Sequence, residues 1–372
     1  MNQFCKYVVC LSVVFIPGIL FVACNNPTTL QLEQQLGYTP TPSDLRSAEE
    51  MELIEPTEPP FPEFPHTTEL PEGVKSVSFT DKKVYGVDIF TDVVYDKRDD
   101  VERVLQILVP VQRMGMKPIG DSPLIVYVPG SAWFDQGRFV YQHIANLIRF
   151  AEQGYVVAIV QYRGTEIAPF PAQIEDAKTA IRFMRKNAEA YKIDTDRVAI
   201  FGDSSGGHTA VMVGITGDEM LDNGTYNEFS SAVNVIVNWF GPSDISLMSY
   251  YPNALLSYGH FFPGATSNAH PKSPPGRLIG GLNVLENPEK AQATNPINYI
   301  TKEVKLPPML IMHGSRDDLV PFNQSVRLYE RMREMEQTVE MYKLENAGHP
   351  TGGFHSNEAF DLVLEFIGQH LM

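Results

Sequence analysis

From residue 74 to the C-terminus, short apolar runs alternate along the chain with segments of helical periodicity. Runs of this length that are apolar or strictly alternating predict β-strands. The predicted strands cover residues 74–80, 84–95, 104–111, 124–128, 155–162, 198–201, 233–240, 309–313 and 339–344. The first three alternate as antiparallel edge strands do, whereas the later runs are typical of a parallel sheet that is buried on both faces.

Helices are predicted between these strands, where apolar residues recur with a helical period. They cover residues 139–153, 172–191, 321–336 and 355–370, and a helix of small residues follows the strand at 198–201. A turn is expected at 194–196. Strands that alternate with helices favour right-handed crossovers and helices on both faces of one sheet. The sequence therefore predicts an α/β fold with a mainly parallel central sheet.

One segment, residues 246–298, does not follow this alternation. It is rich in proline, glycine, asparagine and aromatic residues. Long segments of this kind between core elements are usually functional or disordered. We expect a cap-like insertion above the carboxyl ends of the strands, whose aromatic side chains either stack on a ligand or pack the cap onto the body.

The N-terminal residues have features of a targeting segment. Residues 6–23 form an apolar run behind Lys6, which is typical of a secretory signal peptide, and Pro17-Gly18 disfavours a membrane-spanning helix. Phe21-Val-Ala-Cys24 is similar to a bacterial lipobox, which implies that Cys24 becomes the acylated first residue. Secretion after cleavage and a retained anchor are the alternatives.

Residues 24–73 are dense in proline and glutamate, which indicates an acidic, semi-extended tether without a core of its own. Packing of Phe61 and Phe64 onto the domain is the alternative. The predicted organisation is a lipoprotein-type signal peptide at 1–23, a tether at 24–73 and one folded domain at 74–372, with the insertion at 246–298.

Net charge, cysteine positions and missing motifs argue against certain partners, a disulfide and a cofactor. The 372-residue chain has a net charge of −16, which argues against binding to nucleic acid or to an anionic membrane surface. All three cysteines lie within the first 24 residues, so the folded domain has no disulfide. The sequence contains no phosphate-binding loop, dinucleotide-binding glycine pattern or zinc-spaced cluster, and no cofactor is expected.

The strand at 198–201 runs directly into Gly202-Asp-Ser-Ser-Gly206. A serine between two glycines at a strand-to-helix turn is typical of a nucleophile elbow, in which the serine has strained backbone angles. Side chains at the flanking positions would collide with neighbouring backbone, so glycine is required there. Ser204 is therefore the predicted nucleophile, at a helix N-terminus that favours negative charge. A glycine-rich turn whose serine has no catalytic role is the alternative.

Candidate partners of Ser204 follow two later strands. Asp317 comes after the strand at 309–313, and His349 comes after the strand at 339–344. The carboxyl ends of parallel strands meet at one edge of a sheet, and the order serine, acid, histidine is that of α/β-hydrolases. His349 is predicted as the general base, and Asp317 as the acid that fixes its tautomer.

Other residues near these strand ends compete for the same roles. Asp318 and Asp244 are rival acids, because each follows a predicted strand. His355 is the rival base. His208, in the first turn after the elbow, is expected to be a supporting helix residue, and His313 is expected to pack or to hydrogen-bond locally. A chymotrypsin-like arrangement is excluded, since histidine and acid follow the serine here.

The chain resembles an α/β-hydrolase of the esterase/lipase type over residues 74–372, and it is similar to bacterial ester hydrolases grouped around feruloyl and acetyl-xylan esterases. The motifs that carry the resemblance are unusual and occur in a fixed order. They lie at residues 176–187, 202–207, 239–244, 273–281, 295–298, 313–317 and 347–349. The resemblance implies the α/β-hydrolase fold and hydrolysis of esters.

One motif departs from the family's usual pattern. The family has His-Gly-Gly-Gly-Trp after the strand that supplies the oxyanion hole, whereas this chain has Pro129-Gly-Ser-Ala-Trp133. The resemblance maps the oxyanion donors to the N–H groups of Ser131, Ala132 and Ser205. A change of side chain leaves the backbone N–H groups in place, so the oxyanion hole is expected to form in this chain as well. An ordinary strand-to-loop turn is the alternative.

The sequence thus predicts a serine hydrolase that cleaves carboxylic esters through an acyl-enzyme. Trp133 and Trp239 are candidate pocket residues, although a core position suits Trp239 equally well. The resemblance favours small-molecule or polysaccharide-borne ester substrates, for a protein attached to the bacterial cell envelope through Cys24. A serine peptidase of the same fold and a catalytically silent binding module are the alternatives.

Overall fold

The computed structural model of the chain describes residues 13–16, 19–22, 84–98, 100–113, 119–250 and 264–371. The chain divides into two units, Met1–Phe79 and Thr80–Met372. In the first unit, strands β1 (Val13–Ile16) and β2 (Ile19–Val22) form an antiparallel hairpin. This hairpin overlaps the predicted signal peptide, whose targeting role stays a prediction. Cys24, the tether and the strand predicted at 74–80 lie outside the described residues.

The second unit contains an eight-stranded sheet. Its strands are β3 (Gly86–Arg98), β4 (Val101–Val111), β5 (Ser122–Val128), β6 (Val156–Val160), β7 (Ile193–Asp203), β8 (Val235–Trp239), β9 (Met309–Gly314) and β10 (Val339–Leu344). The spatial order is β10-β9-β8-β7-β5-β6-β4-β3. Strand β4 is antiparallel to β3 and to β6, and the other neighbours are parallel. The predicted parallel sheet with an antiparallel edge is confirmed.

Helices cover both faces of this sheet. They are α1 (Gln142–Glu152), α2 (Ala172–Lys186), α3 (Ala188–Tyr191), α4 (Ser205–Thr216), α5 (Pro274–Leu278), α6 (Pro288–Ala293), α7 (Asn323–Glu334) and α8 (Asn357–His370). One buried cluster joins the sheet to α2, α4 and α7, and a second joins it to α1 and α8. Successive residues of β7 alternate between the two clusters, because side chains along a strand point to opposite faces.

Two local predictions differ from the structure. The helix predicted at 172–191 is interrupted at Asn187, whose side-chain amide donates to the Phe183 carbonyl at 2.7 Å and competes with the helical hydrogen bonds. The turn predicted at 194–196 lies inside β7, because this strand continues to pair with β5 beyond a register shift. Neither change moves the carboxyl end of β7.

The described part of the insertion at 246–298 contains little regular structure besides α5 and α6. Short 3-10 turns occur at Leu247–Tyr250 and Pro296–Tyr299, and residues 251–263 lie outside the described residues. A separate buried cluster joins Met248 and Leu278 of the insertion to Trp133 and Val320 of the body. The described part of the insertion therefore packs against the carboxyl-end loops of the sheet.

In the part of the chain that the structure describes, no helix is both long and apolar enough to cross a membrane.

Candidate active site

Ser204 lies at a sharp turn between β7 and α4. Its backbone angles are φ 53° and ψ −126°, a conformation that L-residues rarely adopt. A Cβ at Gly202 would lie 2.2 Å from the carbonyl oxygen of Gly206, and a Cβ at Gly206 would lie 1.9 Å from that of Val128. Both glycines are therefore required by close backbone approach, as the sequence predicted.

Two hydrogen-bonding contacts link the three residues predicted as a triad. Ser204 Oγ is 3.0 Å from His349 Nε2, and His349 Nδ1 is 2.8 Å from Asp317 Oδ2. The other oxygen, Asp317 Oδ1, accepts the backbone N–H groups of Leu319 at 2.9 Å and Val320 at 2.8 Å. The carboxylate is thus fixed by the loop that carries it, with Oδ2 towards the His349 imidazole.

A second histidine also contacts the acid. His313 Nε2 lies 3.0 Å from the Val320 carbonyl oxygen and 3.2 Å from Asp317 Oδ2, and His313 Nδ1 lies 2.6 Å from Ser325 Oγ. Because a carbonyl only accepts, Nε2 carries a proton and points it at both oxygens. Burial raises the pKa of Asp317, but the hydrogen bonds from His313 and His349 outweigh burial and hold that pKa well below its usual range.

The rival residues have other partners. Asp318 is exposed, although it adjoins Asp317. Asp244 accepts the Asn295 side-chain N–H at 2.9 Å and lies 3.5 Å from an Arg327 nitrogen. His355 packs edge-on against Trp239, with ring centroids 5.9 Å apart. The geometry therefore joins Ser204 to His349 and His349 to Asp317, rather than to these rivals.

The loop after β5 is tied to the elbow by side chains. Asp203 Oδ1 accepts the Tyr127 hydroxyl at 2.6 Å and the Gly130 N–H at 2.9 Å. The Ser131 N–H donates to Ser205 Oγ at 2.8 Å. This hydrogen bond corrects the three-donor oxyanion hole predicted from the sequence, because the Ser131 N–H is occupied by a hydroxyl that glycine or alanine at position 205 would lack.

Tyr162 completes this polar cluster. Its hydroxyl lies 2.9 Å from Ser131 Oγ, 3.3 Å from Ser205 Oγ and 3.1 Å from the Pro129 carbonyl oxygen. Burial raises the pKa of Tyr162 to about 12, against the lowering effect of these hydrogen bonds. The phenol therefore keeps its proton at neutral pH, and it holds the start of the loop.

Two N–H groups remain as candidate oxyanion donors. Among the described residues, no acceptor contacts the N–H of Ala132. The N–H of Ser205 lies in the first turn of α4, where the helix offers no acceptor. Ala132 and Ser205 therefore remain the candidate donors, and both residues line the same cavity as Ser204.

A small cavity lies beside Ser204. Its walls come from the loop after β5, the elbow, the segment after β9 and the insertion. The lining residues include Ala132, Trp133, Ser204, Met248, Pro274 and Val320. Trp133 thus occupies its predicted place in the pocket wall.

Trp239 does not line this cavity, which corrects the tentative pocket assignment. Its ring packs against Phe201 and Phe354, and its Nε1 lies 3.2 Å from Met312 Sδ. The side chain belongs to the cluster under α1 and α8, because the parity of β8 points it to that face. Its backbone still contributes, since the Trp239 carbonyl accepts the Ser204 N–H at 2.9 Å.

Within the described residues, no group of three or more His, Cys, Asp or Glu side chains is placed to hold a metal ion.

A family model described as BD-FAE matches residues 112–332, more than half of the chain. The chain belongs to the BD-FAE family. The match includes Ser204 and Asp317 and ends before His349. Esterase LipC of Mycobacterium tuberculosis (strain ATCC 25618 / H37Rv) is 30% identical over 244 residues, which are 65% of this chain and 56% of LipC. The match spans 56% of LipC and 58% of the related esterase LipQ, so the chain covers little more than half the length of these two relatives.

Solved structures of esterases have the same architecture as this BD-FAE chain. One, described as a truncated form of a carbohydrate esterase from gut microbiota, has a TM-score of 0.65 and 26% identity, and the match covers 78% of this chain and 98% of that one. Another, a bifunctional GH43-CE protein of Bacteroides eggerthii, has a TM-score of 0.62 and 29% identity, with 76% and 38% covered. The predicted α/β-hydrolase fold is confirmed.

Proposed function

We propose that this protein is a serine hydrolase that cleaves carboxylic esters through an acyl-enzyme. The observation that carries the proposal is the continuous contact from Ser204 Oγ through the His349 ring to Asp317 Oδ2. The similarity to esterases such as LipC supports the choice of reaction. Beside Ser204, the N–H groups of Ala132 and Ser205 contact no acceptor among the described residues, and acyl transfer requires such backbone donors.

In the proposed first step, Ser204 Oγ attacks the ester carbonyl carbon while His349 Nε2 takes the hydroxyl proton. Asp317 accepts from His349 Nδ1, keeps the ring in the reactive tautomer and stabilises the imidazolium. The N–H groups of Ala132 and Ser205 donate to the oxyanion. His349 then protonates the leaving alkoxide, and water, activated by the same imidazole, releases the acid.

We place a short acyl group, such as acetyl, in the cavity beside Ser204. The cavity volume is about 30 Å3, which is room for about two water-sized groups. Ala132, which stands where the family's usual pattern has glycine, lines this cavity. The structural relative described as a carbohydrate esterase favours an alcohol portion that belongs to a sugar.

The envelope location is a separate proposal, based on residues 21–24. Acylation of Cys24 would anchor the protein by a lipid, and release after cleavage is the alternative. Labelling of cells with a fatty-acid analogue tests it, with Cys24→Ala as the variant. Fatty-acid label that persists in this variant would contradict acylation of Cys24.

An ester panel from acetyl to feruloyl, with the matching amides, tests the activity on the purified full chain. The expected result is turnover of esters, with the largest kcat/KM for short acyl groups and little turnover of amides. Ser204→Ala should abolish turnover, whereas the neighbouring variant Ser205→Ala should still form the acyl-enzyme. Activity that survives Ser204→Ala would contradict the proposal, and faster turnover of amides would support the peptidase.

A further inference from the structure

His208 lies in α4, close to the elbow, and it contacts two other parts of the candidate site. Its ring is almost completely buried, with 1% of the residue exposed. His208 Nδ1 lies 3.1 Å from Trp133 Nε1, and His208 Nε2 lies 2.7 Å from the Thr294 carbonyl oxygen. One imidazole therefore joins the loop after β5 to the insertion at 246–298.

The proton positions of this contact follow from the partners. The indole N–H of Trp133 is only a donor, and the carbonyl of Thr294 is only an acceptor. His208 must then carry its proton on Nε2 and present an unprotonated Nδ1 to Trp133. Burial lowers the pKa of His208 to about 4, although the hydrogen bond to Thr294 acts in the opposite direction. The neutral form that the contact needs is thus the form present at neutral pH.

The loop that His208 contacts has an unfavourable backbone conformation. Ala132 and Trp133 have φ values of 55° and 61°, in the left-handed region that favours glycine. Such residues keep this conformation only where surrounding contacts determine it. The fixed indole of Trp133 supplies such a contact directly after Ala132, whose N–H is a candidate oxyanion donor.

We propose that His208 is a positioning residue of the oxyanion loop, which holds Trp133 and thereby aims the Ala132 N–H at the substrate carbonyl. The proposal rests on the function proposed above, and it assigns His208 no contact with substrate. The hydrogen bond to Thr294 fixes the imidazole from the side of the insertion. Loss of the Trp133 contact should therefore reduce transition-state stabilisation, and loss of the Thr294 contact should mainly reduce stability.

Two substitutions separate these contacts. In His208→Asn, the side-chain oxygen occupies the position of Nδ1 and still accepts from Trp133, but the donor to Thr294 is lost. In His208→Gln, the amide nitrogen occupies the position of Nε2 and still donates to Thr294, but the acceptor for Trp133 is lost. Both remove the imidazole ring, so each is the matched control of the other.

His208→Gln should lower kcat by about 10- to 100-fold with little change in KM, somewhat less than complete loss of an oxyanion donor. His208→Asn should keep kcat within about threefold of the wild type and lower the melting temperature, because the lost contact is not at the reacting atoms. Trp133→Phe should lower kcat as His208→Gln does. The double variant should lose no more than either single variant, since both remove the same contact.

The indole N–H signal of Trp133 reports the contact without any turnover. The chain has two tryptophans, so an amide-type correlation spectrum of the full chain contains two indole signals, and Trp133→Phe assigns them. The Trp133 signal should move strongly in His208→Gln and little in His208→Asn.

Equal kcat losses in the two His208 variants, or wild-type kcat in His208→Gln, would overturn the proposal. A wild type that hydrolyses no ester would instead overturn the proposed function. In that case the indole signal alone would test the hydrogen bond between Trp133 and His208. An unmoved Trp133 signal in His208→Gln would show that this hydrogen bond is absent and would overturn the proposal as well.

Discussion

The two sides of the candidate active site are held in place by different means. On the acid side, main-chain N–H groups of the segment after β9 fix the Asp317 carboxylate, and His349 lies in the turn after β10. On the oxyanion side, the loop after β5 has non-glycine residues at positive φ and is held by side chains. Those side chains are Asp203, Ser205, His208 and Tyr162.

This difference shows what replaces glycine when a loop must keep a left-handed backbone. Glycine adopts such angles at little cost, whereas alanine or tryptophan pays about 1–3 kcal/mol at each position. Buried hydrogen bonds from neighbouring elements offset that cost here, and they also connect the loop to the elbow and to the insertion. The oxyanion side should therefore be sensitive to substitutions at residues that never touch substrate.

The largest effect is expected on the acid side. On the proposed mechanism, Asp317→Asn should lower kcat by about 10³- to 10⁴-fold, because the amide favours the wrong tautomer of His349. Asp318→Asn is the matched control, since Asp318 is exposed and should change kcat little. Steady-state kinetics with an acetyl ester measures both. Equal losses in the two variants would contradict the assignment of the acid.

A smaller but still large effect is expected at the start of the oxyanion loop. A Cβ at Gly130 would lie 2.7 Å from the Asp203 carbonyl oxygen and 2.8 Å from Ser204 Cβ. Gly130→Ala should push the loop from the elbow and lower kcat by about 10²- to 10³-fold, the range for a lost oxyanion donor. Gly120→Ala is the control, because no atom lies within 4 Å of its added Cβ. Unchanged kcat in folded Gly130→Ala would mean that the loop does not stabilise the oxyanion.

A moderate effect is expected from the second histidine on the acid. The His313 N–H lowers the pKa of Asp317, so its removal should make the carboxylate more basic and favour the protonated form of the His349–Asp317 pair. In His313→Asn, the acidic limb of the kcat/KM profile should therefore move to higher pH, with kcat reduced about tenfold. His313→Gln keeps a donor near the Nε2 position and should move the limb less. A limb that moves to lower pH in His313→Asn would contradict this account.

The smallest effect on turnover is expected at Trp239. Its side chain packs in the cluster under α1 and α8, away from the cavity beside Ser204. Trp239→Phe should change kcat by less than about threefold while it lowers the free energy of unfolding by about 1–3 kcal/mol. Urea denaturation and ester kinetics measure the two quantities. A large change in KM without loss of stability would contradict this core position and indicate that Trp239 contacts the substrate.

The three residues of the candidate triad, including both on the acid side, could be predicted from the sequence because the signal for each of them is local. A strand followed by a carboxylate, a strand followed by Gly348-His349, and a serine between required glycines each lie within a few residues. The parallel sheet then brings these strand ends together. His313 was expected to pack or to hydrogen-bond locally, and it does hydrogen-bond locally. Its contact with Asp317 was not predicted, although its spacing from Asp317 within one strand exit was a usable signal.

The oxyanion side could not be predicted to the same depth, because its contacts join distant parts of the chain. The Ser131 N–H meets the hydroxyl of Ser205, and Trp133 meets His208, across 74 and 75 positions. Nothing in the local pattern at 129–133 indicates which N–H groups are occupied. The sequence also did not decide whether the Trp239 side chain faces the pocket or the core. A shift of one residue along a strand reverses the face of the sheet on which a side chain lies.

The most direct test of the account is covalent labelling of the full chain with a fluorophosphonate probe, followed by mass spectrometry of the intact protein and its peptides. The account predicts one adduct per chain, on the peptide that contains Ser204, with none in Ser204→Ala and slower labelling in Asp317→Asn. A folded wild type that stays unlabelled, or an adduct on another residue, would contradict the claim that His349 activates Ser204.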